Sequence, residues 1–103
     1  RLSGAQPGMA GRTNTVFGLG FEPGAVVSLA YGIGLGSTPA PGCSSAFFGI
    51  GNAQVTVNAV ADADGRIEVT VDLPSGLAGT VLYSQALETA NCRLSEVQSQ
   101  VIQ

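Results

Sequence analysis

Residues 54–73 read Gln54-Val55-Thr56-Val57-Asn58-Ala59-Val60-Ala61-Asp62-Ala63-Asp64-Gly65-Arg66-Ile67-Glu68-Val69-Thr70-Val71-Asp72-Leu73. In the first half Val55, Val57, Ala59 and Ala61 alternate with Gln54, Thr56 and Asn58. In the second half Ile67, Val69, Val71 and Leu73 alternate with Arg66, Glu68, Thr70 and Asp72. A period of two places one set on a buried face and the other on a wet one, which is the signature of a strand. Asp62-Ala63-Asp64-Gly65 lies between the halves. Aspartate bonds nearby backbone N–H groups, and glycine takes the left-handed conformation a tight turn requires. The stretch predicts two antiparallel strands joined as a hairpin.

The flanking sequence continues in the same style. Thr15, Phe17, Leu19 and Phe21 alternate with Asn14, Val16 and Gly18, predicting a strand over 12–19. Glu22-Pro23-Gly24 is a turn, and Ala25–Tyr31 is a second strand with Val27, Leu29 and Tyr31 on one face. Residues 32–53 are thinned by glycine. Ser37–Pro41 is expected to be a loop, Cys43–Ile50 a short irregular strand, and at least one of Phe47 and Phe48 a core residue. Leu73–Gly79 crosses between sheets, with one helical turn near Ser75–Ala78. Thr80–Glu88 is a strand, Thr89–Leu94 a loop, and Glu96–Gln103 the last strand, with Val97 and Val101 inward. About seven strands with turn signals roughly every 8–12 residues are the spacing of a β-sandwich.

The chain has 103 residues, 45% hydrophobic and 11% charged, with a net charge of −3. Its length fits one domain. Charge well below the usual quarter of residues, with much Val, Ala, Gly and Thr, favours strands and argues against disorder. Four arginines, at 1, 12, 66 and 93, are scattered and there is no lysine. No basic stripe exists for nucleic acid or an anionic membrane, and no apolar run reaches a membrane span. No signal peptide is visible, and Arg1 is read as a mature or trimmed N-terminus. Residues 1–11 carry no period and form an extended leader before the domain of residues 12–103. Ordering so plain a segment costs on the order of 1–2 kcal/mol per residue, so a neighbouring copy is the expected support.

Cys43 and Cys92 have no companion pair for a zinc quartet. They are read as one disulfide, implying an oxidising compartment, with two separate buried thiols as the alternative.

Gly18, Gly20-Phe21, Pro23-Gly24, Val26 and Leu29 follow a pattern that resembles the opening of bacterial immunoglobulin-like modules. Ala61–Gly65, Leu73-Pro74 through Gly79, Tyr83–Ala86 and Leu94-Ser95 are similar to their later turns and strands. The resemblance covers residues 15–103. It implies an immunoglobulin-like Greek-key sandwich of the kind found in secreted and surface proteins of planctomycetes and myxobacteria. The Gly-rich stretch 32–53 departs from a minimal module. The shared residues are turn and core positions and carry no activity.

Catalytic chemistry has little to work with. The absence of histidine removes Ser-His and Cys-His pairs, and the absence of lysine removes Schiff-base and Ser-Lys chemistry. Asp62-x-Asp64-Gly65 matches the start of a calcium loop, but no acidic residue closes it. A turn without metal is therefore expected at Asp62, Asp64 and Gly65, with calcium at Asp62 and Asp64 as the alternative, and no other cofactor. Tyr83 is a candidate tyrosine corner. Gly32-x-Gly34-x-Gly36 lacks the helix and lysine of a phosphate loop. Ser37-Thr38-Pro39 is a candidate for O-linked sugar on composition alone. The expected function is a non-enzymatic extracellular structural subunit that assembles with copies of itself into a filament or coat. The alternative is an adhesion, binding or spacer module of a larger secreted or surface protein, with a glycan or surface ligand.

Overall fold

The computed structural model describes the backbone of residues 1–103 and all side chains except those of Thr56 and Val57. The fold is all-β and antiparallel, compatible with a β-sandwich. Nine strands are found among the described residues, where about seven are expected from the sequence.

Strand β1 (Thr13–Gly18) pairs with β6 (Ile67–Asp72). Strand β2 (Val26–Gly32) lies between β5 (Gln54–Val60) and β7 (Val81–Glu88). The far edge of β7 carries two short strands, β8 (Arg93–Leu94) and β9 (Gln98–Val101). Strands β3 (Leu35–Ala40) and β4 (Cys43–Ile50) form a separate hairpin. Ser75–Leu77 is a single 3₁₀ turn, where the sequence placed one.

The main core fills the space between the β1–β6 sheet and the five-stranded sheet. Val16, Ile67 and Val69 come from one side, and Val27, Leu29, Leu82 and Ala86 from the other. A second cluster of Ala30, Ala40, Cys43, Phe48 and Leu87 lies on the opposite face of β2 and β7. The hairpin therefore covers the outer face of the five-stranded sheet. This explains why β2 and β7 contain long buried runs and not a clean alternation: both of their faces are covered.

The stretch at 54–73 forms the strands its alternation predicts, but not the hairpin. β5 pairs with β2 and β6 pairs with β1, so the two strands belong to different sheets. The turn itself has the bonds of a hairpin end: Asp62 N–H donates to Arg66 C=O, and Gly65 N–H to Asp62 C=O. Beyond it the chain of residues 21–25 intervenes. Phe21 N–H donates to Gly65 C=O, Gly24 N–H to Ala61 C=O, and Ala61 N–H to Ala25 C=O. Two sheet-crossing corners thus satisfy each other, and the strands diverge from there. The inward placement expected of Val57 lies outside the described residues.

Other expectations are corrected by the same non-local pairing. Residues 35–40 are a strand and not a loop; Pro39 is tolerated because β3 pairs on one side only. The apolar face of β1 is turned outward at Phe17 and Leu19, while Asn14, Val16 and Gly18 face in. A Cβ on Gly18 would lie 2.7 Å from Ile67 Cγ1 and 2.8 Å from Phe21 Cε2, so glycine makes room for both side chains. In the last strand Val101 is exposed and Ile102 is buried, the reverse of the expected face.

The leader does not wait for a neighbouring copy. It pairs with β1 of its own domain through bridges Leu2↔Gly18 and Gln6↔Thr15, and Leu2 and Ala5 enter the main core. Ala10 N–H donates to Gln103 C=O, and Gln103 N–H to Gly8 C=O. Residues 1–11 therefore bridge the β1 edge and the C-terminal end of the chain. The expectation of support from another molecule is overturned, because the domain supplies the hydrogen bonds and burial itself.

Candidate functional site

Cys43 and Cys92 form a disulfide, with Cα atoms 5.7 Å apart and a sequence separation of 49. Cys43 opens β4 and is buried. Cys92 stands in the turn after β7, with a positive φ of 54°. The bond ties the hairpin to the five-stranded sheet at the end where Phe48 packs against Ala30 and Leu87.

Asp62 and Gly65 build the predicted turn. Asp62 Oδ1 accepts from the N–H groups of Asp64 at 2.9 Å and Arg66 at 3.0 Å. These bonds, first from Arg66 and then from Asp64, hold its carboxyl below the usual aspartate range. Gly65 adopts φ 73°, and any Cβ there would collide with the Phe21 carbonyl. Asp64 is exposed. No group of three or more His, Cys, Asp or Glu that could hold a metal occurs among the described residues.

Tyr83 lies within β7, between Gly32 and Ser99, and not at a corner. Its hydroxyl makes no hydrogen bond among the described residues, so the tyrosine-corner role is not met. The polar anchors are instead the buried Asn14, Ser28, Gln85 and Glu88 and the half-buried Gln100, which period-two reasoning could not single out. Asn14 Oδ1 accepts from Gly8 N–H at 2.6 Å and Met9 N–H at 3.2 Å. Its Nδ2 donates to Met9 and Arg12 carbonyls. Gln85 accepts from Gly49 N–H at 2.9 Å and donates to Ser95 C=O at 2.8 Å, linking hairpin to sheet. Glu88 is 1% exposed. It accepts from Glu22 N–H at 2.8 Å and Asn91 Nδ2 at 3.2 Å, and pairs with Arg93 at 2.9 Å. Arg93 also donates to Gly20 C=O. The Glu22 bond is the chief cause that holds the Glu88 carboxyl below its ordinary range. This carboxylate fixes loops and has no open face for chemistry.

Charge is divided along the chain. No charged residue stands between Glu22 and Asp62. Strands β2 to β5 and their connections are uncharged, and all seven carboxylates and four arginines lie elsewhere in the chain. The same stretch exposes large aliphatic and aromatic side chains: Ile33 at 65%, Leu35 at 67%, Phe47 at 51% and Val60 at 66%. Ile33 and Leu35 form the rim of an open groove of about 470 Å³, where the chain passes from β2 to β3 and from β4 to β5. Tyr31, Asn52, Gln54 and Leu77 also line it, and no charged side chain does. This rim and groove are the candidate contact site.

No family model, curated protein or solved structure matches this chain.

Proposed function

We propose that this chain is a non-enzymatic structural domain of the extracellular space, an immunoglobulin-like Greek-key module that assembles with copies of itself into a filament or coat. The observation that carries this reading is the apolar surface left outside the core. Ile33 and Leu35, on the rim of the groove, are each about two-thirds exposed. Large exposed apolar patches on soluble domains mark contact surfaces. The disulfide supports an oxidising compartment. The repeated crossing of the chain between sheets, after β1, β2, β4, β5 and β6, supports the Greek-key connectivity.

A second reading is a binding or spacer module of a larger secreted or surface protein. The groove favours it, because Tyr31, Asn52 and Gln54 combine an aromatic ring with amide groups. Negative-stain microscopy of the purified, disulfide-bonded protein separates the two. Regular particles or fibres are expected. A monodisperse monomer at high concentration replaces the first reading with the second.

A further inference from the structure

We infer that two copies of this chain meet at the uncharged groove, the Ile33–Leu35 rim of one seated in the groove of the other about a two-fold axis. The inference rests on the self-associating reading above and names its joint.

Charge selects the occupant. The chain carries a net charge of −3, so two copies repel wherever their acidic surfaces meet. The surface built between Glu22 and Asp62 has no charged side chain to contribute to that repulsion. Interface cores are depleted in charge in the same way. A partner of opposite charge would be steered to the carboxylates on the other strands, and nothing in this groove would hold it. A second copy brings the same neutral surface.

Shape favours a symmetrical contact. The protruding side chains, Ile33 and Leu35, stand beside the concavity they border. A knob next to a hole on one surface is self-complementary under a two-fold rotation, because each copy gives the knob and receives it. Burying the two aliphatic side chains is the main gain. Asn52 and Gln54 supply polar groups that stay hydrated or bond across the contact. Such an isologous contact closes at two copies, so growth into a longer assembly requires a second contact elsewhere.

The test is sedimentation equilibrium of the whole disulfide-bonded chain, up to roughly 1 mM. Wild type is expected to rise from 10.3 kDa toward twice that mass. Raising salt from about 0.1 to 1 M should not weaken the association, because no charge pair holds it. Leu35→Glu and Ile33→Glu alter exposed side chains and should keep the wild-type melting temperature. Both should weaken association by about tenfold or more. Thr70→Glu, an exposed position on β6, should leave it unchanged. If the Leu35 and Ile33 variants associate as wild type does, the inference is overturned and the structural reading survives. If wild type stays at 10.3 kDa throughout, both fall. Binding of a wild-type monomer to neutral phosphatidylcholine vesicles, lost in Leu35→Glu, would also overturn the inference by giving the rim a lipid occupant.

Discussion

The carboxamide of Gln100 pairs with the peptide group of Ala5 as a neighbouring strand would. Its Oε1 accepts from Ala5 N–H at 2.7 Å, and its Nε2 donates to Ala5 C=O at 2.7 Å. A side chain of β9 thereby replaces a length of backbone and fastens the leader on the side away from β1.

Removing that amide should loosen the leader before the sandwich. Gln100→Ala leaves the Ala5 peptide group without its partner, at a cost of about 1–3 kcal/mol. The expected result is a lower denaturation midpoint, with amide exchange of residues 2–6 faster than that of β2. Gln100→Glu keeps the acceptor for Ala5 N–H but turns an anionic oxygen toward Ala5 C=O, so its midpoint should also fall below that of wild type. Unchanged exchange at residues 2–6 in Gln100→Ala would show that Gln100 does not fasten the leader.

Asn14 is the second fastening. Its side chain is fully buried and meets four backbone groups of residues 8–12. Asn14→Leu is close in size but orphans those groups, and should cost about 2–3 kcal/mol or more. Calorimetry should show a lower melting temperature than for Thr15→Val, a half-buried control on the same strand. Deleting residues 1–11 should likewise destabilise the fold, since it strips Leu2 and Ala5 from the main core.

The disulfide closes a span of 49 positions, and loop entropy puts its contribution on the order of 4 kcal/mol. The double variant Cys43→Ala with Cys92→Ala should melt well below wild type. Its exchange should rise first in β3 and β4, the hairpin that the bond holds to the sheet. Intact mass after alkylation without reductant should show no blocked thiol in the folded wild type.

Acid should act through Glu88. Its carboxyl is held below the ordinary glutamate value of 4.5, first by Glu22 N–H and then by Asn91 and Arg93, against the cost of burial. A carboxylate whose folded pKa is depressed contributes stability that is complete above the unfolded pKa. That stability is lost as pH falls through the folded pKa. Unfolding free energy should therefore be flat from neutral pH down to about pH 5, and then decline. In Glu88→Gln the decline should be shallower, on a lower plateau. An equally steep decline in that variant would place the acid lability elsewhere, with Asp62 the first alternative.

The strands were largely legible in the sequence, and their partners were not. Alternation at 67–73 identifies Ile67, Val69 and Leu73 as inward, and they are. The turn residues Asp62 and Gly65 take the conformation their chemistry suggests. The hairpin inference fails because that turn is the same whether the strands stay together or part. What parts them is residues 21–25, forty positions away in the chain. Asn14 and Gln100 were missed for a related reason. A polar residue in an alternating pattern reads as solvent-facing, yet here each turns inward to bond a backbone that only the tertiary fold brings near. Ile33 and Leu35 offered no period to read among glycines, and their exposure emerges only once the β3–β4 hairpin is in place.

Hydrogen exchange at two protein concentrations tests self-association through the uncharged end most directly. Peptides covering residues 31–36 and 51–55 should gain protection as concentration rises from about 10 μM to roughly 1 mM. Peptides covering residues 66–72, on the charged side, should exchange alike at both. Exchange at residues 31–36 that is independent of concentration across that range would contradict the account.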